Sequence, residues 1–567
     1  MTMATSVTGM YLLVKSLRQV GIDTMYGLVG IPVTDFAFLA QEYGVRFISF
    51  RHEQQAGMAA ATHGFLTRTP GVCLTVSSLG FLNGLTATAN ATVNCFPMIQ
   101  ISGSSEREPI DLQQGNYEAL DQLAIARPLV KAAYRVNRAE DIPTAVVRAY
   151  RAAISGRPGG VYLDITTPCL GEVMDKEVAD SLLFTPIDPA PDMPPAESSV
   201  KHALSLIAAA KRPAIIIGKG AAYARVEEEL RQLVDETGIP FLQMSMAKGV
   251  LPDDDPLSAM ACRSMILQQA DLVILVGARL NWLLSRGKGK WNPEARFVQL
   301  DIEPTEIDAN RHISAPVIGD LKSTLSMMLS QLPNYTLSID PTWREQIETR
   351  SKAARAAFAE RLAESSAKSP MDHWSALSAI KPILEGNPDV ILVNEGANTL
   401  DDTRNAVNMS LPRHRIDCAT WAIMGMGMGS AIGAAVATGR QVVAIEGDSA
   451  FGFSGMDFST ICRFRLPVTV IIFNNGGIYN GIGENLAKTE DPAPTTLDVN
   501  ARYDKLAEAF GAMGYYVTTP AELGDALTKA LASKAPALIN VQLAADAGQE
   551  SGHIGYLNPA ALQPIKV

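Results

Sequence analysis

The chain has 567 residues, 47% of them hydrophobic and 19% charged, so it has the composition of an ordinary globular protein too long for one core. Its 48 Lys and Arg against 59 Asp and Glu give a net charge of -11, which excludes nucleic acid or an anionic membrane as the main partner while leaving room for local basic pockets. The six cysteines, Cys73, Cys95, Cys169, Cys262, Cys418 and Cys462, form no CxxC pair and fit free thiols in a reducing compartment, hence a cytoplasmic protein.

The predicted elements define an α/β protein of three doubly wound parallel-sheet domains. In the first, residues 1–190, a helical run GMYLLVKSLRQVG precedes strand-like runs DTMYGLVG, VRFISF, GVCLTVS, FPMIQISG and GGVYLDI. A proline-rich linker occupies 185–199. The second domain, 195–365, has strands in RPAIIIGKG, ADLVILVGARL and RFVQLDIEP, and its strand ends carry Lys219, Arg279 and Asp301, where open α/β sheets bind ligands. A charged run from Thr342 to Ser369 reads as a solvated connecting helix. The third domain, 370–567, has strands in DVILVNEG, QVVAIEGD, VTVIIFNNGG and ALINVQL. Two uncharged stretches, 69–105 and 418–439, are rich in Ser, Thr, Asn, Gly or Ala, which suits close packing in a core better than a membrane span.

The chemistry concentrates where two apolar runs stop, QVVAIE at Gly447-Asp448-Ser449 and VTVIIF at Asn474-Asn475-Gly476-Gly477. In a βαβ unit the helical run GFSGMDFSTICRF returns the chain, so both strands end side by side at the carboxyl edge of the sheet. A carboxylate from Asp448, an amide oxygen from Asn475 and a backbone carbonyl from the following Gly-Gly make hard oxygen ligands suited to Mg²⁺ with phosphate oxygens. Turn and N-cap chemistry explains either dipeptide alone, but both together after two buried strands form a specific signal.

This Gly-Asp-Ser and Asn-Asn pairing resembles the thiamine diphosphate enzymes, with the same three-part order along the whole chain. The resemblance implies Mg²⁺ on Asp448, Asn475 and the Gly477 carbonyl, with Ser449 and Ala450 at the diphosphate. Glu53, in FRHEQQAGM, stands where the family carries the glutamate that shares a proton with the aminopyrimidine ring. Met424 matches the residue that bends the cofactor. Glu395, Gly396 and Ala397, with Thr420, Trp421 and Ala422, would form the wall around the pyrimidine, and Ile478 and Tyr479 would lie beside the thiazolium. The cofactor joins two chains in this family, so a homodimer or a dimer of dimers is implied.

The strings YGLVGIPVTD, GFLNGLTATANATVNCFPMI, DLQQGNYEALDQ, VNEGANTLDDTR, GDSAFGFSGM and ESGHIGYLNP are similar to the oxalyl-CoA decarboxylases, with the 2-hydroxyacyl-CoA lyases as the neighbouring family. That likeness implies decarboxylation of oxalyl-CoA to formyl-CoA, with Tyr117, Glu118, Tyr479 and Ser551 around the reacting carbonyl. The CoA path would be lined by Ile31, Tyr117, Met260, Asp402, Thr403, Ser551, Gly552 and His553, and the tail from Ser551 would close the pocket. An activating ADP or ATP would bind through Arg157, Lys219, Arg279, Asp301, Ile302 and Asp320. Leu79, His373 and Ala422 depart from the family pattern. Carbon–carbon lyase chemistry on hydroxyacyl-CoA and a non-catalytic ADP-binding homologue are the competing readings.

Overall fold

The computed structural model describes residues 6–479, 490–498 and 500–548. Three parallel sheets follow one another along the chain. The first has six strands in spatial order Arg46–Ser49, Thr24–Gly27, Gly71–Thr75, Met98–Ser104, Gly160–Thr166 and Ala132–Val136. The third repeats that arrangement with Arg415–Ile416, Ile391–Asn394, Val442–Gly447, Val468–Asn474, Ala537–Gln542 and Met513–Val517. Numbered within each unit, both sheets run 2-1-3-4-6-5, so the two outer units share one topology. The middle sheet has five strands, Phe241–Gln243, Pro213–Ile217, Leu272–Val276, Arg296–Asp301 and Ala315–Ile318, in the order 2-1-3-4-5.

The central strands are continuous apolar runs because helices cover both faces, leaving no solvent side to mark with polar residues. Val468–Asn474 and Gly71–Thr75 are buried along their full length. The charged connector is a helix, Pro341–Ser365, started by Asp340, whose side chain accepts the Thr342 N–H. It is anchored to the middle unit by Trp343, fully buried with its indole N–H 3.0 Å from the Pro213 carbonyl.

The outer units meet through two helices poor in bulky side chains, Glu53–Thr67 and Gly427–Thr438. Glycine permits the approach: a Cβ on Gly433 would come 2.4 Å from the Ala59 carbonyl oxygen, and one on Gly429 would come 2.5 Å from that of Gln55. Polar ties fix the register, with Gly429 N donating to Gln55 Oε1 at 3.0 Å and Thr62 bonding Ser430 at 3.0 Å. The uncharged stretch 418–439 therefore contributes to a packing seam between the outer units, and among the described residues no helix is long and apolar enough to cross a membrane. The six cysteines are free thiols.

Two local expectations are corrected. The return between Gly447 and Val468 is broken into Asp448–Gly452, a 3-10 turn Gly455–Asp457 and Phe458–Arg463, because Gly452, Ser454 and Gly455 interrupt a continuous helix. Five edge strands, Ala132–Val136, Phe241–Gln243, Ala315–Ile318, Arg415–Ile416 and Met513–Val517, complete the sheets beyond the runs read from sequence.

Candidate active site

Strands Val442–Gly447 and Val468–Asn474 are paired in register, with Gly447 opposite Phe473, so their terminal turns touch. Asp448 is buried and its two carboxylate oxygens accept the N–H groups of Ser449, at 2.8 Å, and Gly476, at 2.9 Å. The Ser449 N–H is thus used by Asp448. The two asparagines divide the work. Asn474 is fully buried and braces the turn, its amide donating to the Ala501 carbonyl and to Asn540, both at 3.2 Å, while its own oxygen accepts Gly476 N–H at 3.1 Å. Asn475 reaches the turn's mouth, where its amide N–H donates to the Tyr479 carbonyl at 3.1 Å. Burial pushes the Asp448 carboxyl up to about 6 despite these backbone donors, and a bound cation would favour its charged form.

The donor set fits the group that the sequence implies. One carboxylate, one amide and one carbonyl are too few for a cage but suit Mg²⁺, which keeps phosphate and water ligands. No cluster of three or more His, Cys, Asp or Glu side chains competes for a metal among the described residues. The neighbouring strand end is lined by glycine: Gly396 has φ +104°, and a Cβ there would come 3.4 Å from the Gly447 nitrogen. Ala450 is buried in the first turn beyond Asp448.

The wall beside this edge is built from buried acids and borrowed amides. Glu395 accepts the N–H groups of Gly425 and, at 2.6 Å, Gly427. Glu446 is fully buried, and neither of its carboxylate oxygens has a hydrogen-bond partner. A Cβ on Gly427 would come 2.4 Å from Glu446 Oε1 and 2.9 Å from Glu395 Oε2, so both acids converge on one glycine. Desolvation and the neighbouring Glu395 drive the Glu446 carboxyl well above the usual range. Thr420 and Trp421 are held from the first unit: Asn94 Oδ1 accepts both of their N–H groups at 3.0 Å, and Asn90 donates to the Trp421 carbonyl at 2.9 Å. The Trp421 side chain, Met424 and Tyr479 are left exposed around the wall.

Glu53 begins the helix Glu53–Thr67, capped by His52, and is buried. Its carboxylate accepts from Asn83 at 3.0 Å, and a Cβ on Gly80 would stand 3.0 Å from Glu53 Oε1. Near the same sheet edge Glu118 accepts from the Ser77 hydroxyl, and a hydrogen bond to Glu118 holds the exposed Tyr117 phenol above its ordinary value. Ile31 is 70% exposed and Tyr117 67%. Thus two half-sites lie on one chain: Glu53, Tyr117 and Glu118 on the first unit, and Asp448, Asn475, Gly477 and Ile478 on the third.

A cavity of about 860 Å³ opens between the three units. All six residues expected at a nucleotide, Arg157, Lys219, Arg279, Asp301, Ile302 and Asp320, line it, as do Met260 and the wall residues Glu395, Gly396, Ala397, Thr420, Ala422, Met424 and Tyr479. Burial pulls the Lys219 ammonium down to about 7; its nitrogen is enclosed without a hydrogen-bond partner and lies 4.8 Å from the Phe96 ring centre. Burial raises the Asp301 carboxyl. Asp320 caps the helix Leu321–Gln331.

Four expected CoA residues are not brought here: Ile31 and Tyr117 stand exposed on the first unit outside the cavity lining, and Asp402 and Thr403 face away from it. On the helix Ala397–Ala406 the cavity face is Ala397, Leu400, Asp401, Arg404 and Asn405, a helical stripe that leaves Asp402 and Thr403 on the opposite side. Asp402 instead pairs with buried His373 at 2.8 Å, and Thr403 is fully buried. Ser551, Gly552 and His553 lie outside the described residues. Just before them the chain returns to the site, since a Cβ on Gly548 would come 1.7 Å from the Tyr479 carbonyl oxygen. Sequence reasoning missed Asn83, Asn90, Asn94, Gln55 and Glu446. The helical spacing of three asparagines within an uncharged run was the signal for the first three.

The sequence matches the thiamine pyrophosphate enzyme N-terminal TPP binding domain over residues 7–125, the central domain over 200–328 and the C-terminal TPP binding domain over 397–541. The chain therefore belongs to the thiamine diphosphate enzymes. Within that family it is 55% identical to oxalyl-CoA decarboxylase of Escherichia coli K12 over 551 residues, 97% of each chain. It is 40% identical to 2-hydroxyacyl-CoA lyase of Arabidopsis thaliana over 569 residues, 98% of each, and 37% identical to 2-hydroxyacyl-CoA lyase 1 of Homo sapiens over 569 residues, 97% of each. The chain is an enzyme of the carbon–carbon lyase class, homologous to oxalyl-CoA decarboxylase.

Proposed function

We propose that this enzyme binds thiamine diphosphate with Mg²⁺ and converts oxalyl-CoA, with uptake of one proton, to formyl-CoA and CO₂ in oxalate breakdown. The observation that carries the reading is the 55% identity to a curated oxalyl-CoA decarboxylase over nearly the whole chain. Asp448, Asn475 and the Gly477 carbonyl would hold the metal, and Ser449 and Ala450 the diphosphate. When bound, the cofactor supplies the electron sink that decarboxylation requires. Glu53, oriented by Asn83, is the residue that would hold and move a proton at the aminopyrimidine. Tyr117, Glu118, Tyr479 and Ser551 would position the thioester carbonyl and exclude bulk water.

The central cavity supports the remaining ligands. Arg404 and Asn405, facing it with Met260, offer a cation and an amide to the phosphates of CoA, while Arg157, Lys219 and Arg279 suit an ADP or ATP activator. The placing of the two half-sites on different units, and the exposure of Ile31, Leu79, Phe453 and Met456, support completion of the site by a second copy in a dimer or dimer of dimers. Free thiols throughout support a cytoplasmic setting.

The 2-hydroxyacyl-CoA lyases, at 37–40% identity, give the second reading, cleavage of a hydroxyacyl-CoA to formyl-CoA and a carbonyl product. A substrate comparison separates them. Equal concentrations of oxalyl-CoA, glycolyl-CoA and 2-hydroxyisobutyryl-CoA are offered to the holoenzyme and kcat/KM is measured. Preference for oxalyl-CoA by tenfold or more is expected; preference for a hydroxyacyl-CoA would reject the decarboxylase reading.

A further inference from the structure

Arg157 and Arg279 come from different units. Arg157 lies in the loop between Ile142–Ile154 and Gly160–Thr166 of the first, and Arg279 follows Leu272–Val276 of the middle one. Both are drawn to one carboxylate. Arg157 Nη1 lies 2.6 Å from Glu306 Oε1, and Arg279 Nη1 lies 4.0 Å from the same oxygen. Glu306 ends the 3-10 turn Pro304–Glu306 just beyond the Arg296–Asp301 strand and lines the central cavity with both arginines and Lys219. Two guanidiniums and a lysine therefore face a cavity into which the chain has already placed a carboxylate.

The arginines are tied on their other sides as well. Arg157 Nε donates to Cys95 Sγ at 3.2 Å. Arg279 Nη2 donates to the Val93 carbonyl at 2.9 Å and to the Thr420 hydroxyl at 3.1 Å, and Trp282 donates its indole N–H to the Thr420 carbonyl at 3.0 Å. One guanidinium thus bridges the carboxylate in the cavity and the cofactor wall. Lys219 is the exception, with no hydrogen-bond partner for its nitrogen.

We propose that Glu306 is an internal counter-ion that holds the empty cavity self-neutralised, that a phosphorylated ligand displaces it from Arg157 and Arg279, and that Arg279 passes the exchange to Thr420. This rests on the reading of the cavity as a nucleotide site and adds its gate. A carboxylate between two guanidiniums competes with phosphate for the same donors, so the ligand must carry enough charge to win both arginines and recruit Lys219. A neutral or singly charged molecule of similar shape gains too little to expel Glu306 and is excluded.

The test is calorimetric titration of the wild type and of Glu306→Gln, each loaded with thiamine diphosphate and excess Mg²⁺, with ADP and separately with inorganic pyrophosphate. Removing the competing charge is expected to tighten both probes by about tenfold. Glu306→Ser, which also removes the charge but shortens the side chain, is expected to shift both the same way and guards against an effect peculiar to Gln. Unchanged or weaker binding of both probes in the variants would overturn the proposal while leaving a nucleotide site. Weakening of ADP alone, with pyrophosphate unchanged, would make Glu306 a nucleoside contact and would also overturn it. No binding of either probe to any of the three proteins would reject both the gate and the nucleotide site.

Discussion

The carboxylate of Asp448 accepts the backbone N–H of Gly476 at 2.9 Å, locking the ends of two neighbouring strands into one turn cluster. The bond turns two separate sequence signals into a single site. Asp448→Ala removes both the carboxylate proposed for the metal and this lock. Binding of thiamine diphosphate in the presence of Mg²⁺, followed by calorimetry, is expected to weaken at least about a hundredfold, since loss of a charged ligand group costs several kcal/mol. Binding within threefold of the wild type would remove Asp448 from the site.

The seam between the outer units depends on the absence of side chains. At Gly433 an added methyl would meet the Ala59 carbonyl oxygen at 2.4 Å, a backbone atom, with no flexible side chain to yield. Gly433→Ala is expected to destabilise the protein by about 1–3 kcal/mol, as overpacking does, and to lower the melting temperature of the cofactor-free enzyme. An unchanged melting temperature would show that the two helices are not packed this closely.

Neighbours on one helix should behave differently. Asp402 pairs with buried His373 at 2.8 Å, whereas Arg404 faces the cavity. Asp402→Ala should cost about 1–3 kcal/mol of stability by leaving a buried ring nitrogen unpaired, with KM for oxalyl-CoA little changed. Arg404→Ala should raise that KM about tenfold or more with a small effect on stability. The reverse pattern would restore Asp402 to the CoA path.

Lys219 gives the cavity a pH dependence. Burial holds its ammonium near 7, far below an ordinary lysine, so above that pH it is mostly neutral in the free enzyme. A phosphate ligand favours the charged form, and ADP binding between about pH 7 and 9 should therefore take up a proton and weaken as pH rises. Calorimetry in buffers of different ionisation enthalpy measures the uptake. Because the folded value lies below the unfolded one, the unfolded chain binds more protons in this window, and this group makes the ligand-free protein more stable as pH rises. Lys219→Met should abolish both trends, and proton uptake that persists in it would assign the effect elsewhere.

Reading the sequence succeeded where burial leaves a strong pattern. Central strands such as Val442–Gly447 and Val468–Asn474 are buried on both faces and end in sharp polar turns, so strands and site were visible together. The edge strands Arg415–Ile416 and Met513–Val517 were not, because an edge is short or half exposed and its partner lies far along the chain. The six residues placed at the nucleotide do converge on one cavity. Asp402 and Thr403 missed it because helix phase, which decides the facing side, shifts by about 100° per residue. Glu446 was hidden inside an apolar strand, where a lone carboxyl looks like part of the neighbouring turn, and Glu306 gained meaning only from two arginines distant in sequence.

The most direct measurement is formyl-CoA release from oxalyl-CoA by the wild type and by Glu53→Gln, each stripped of cofactor by dialysis with chelator and then restored with thiamine diphosphate and Mg²⁺. The account predicts turnover by the wild type only after both are restored, and a rate at least about a hundredfold lower for Glu53→Gln, as loss of a positioned proton-transfer group entails. Turnover by the stripped protein, or a variant as fast as the wild type, would contradict it.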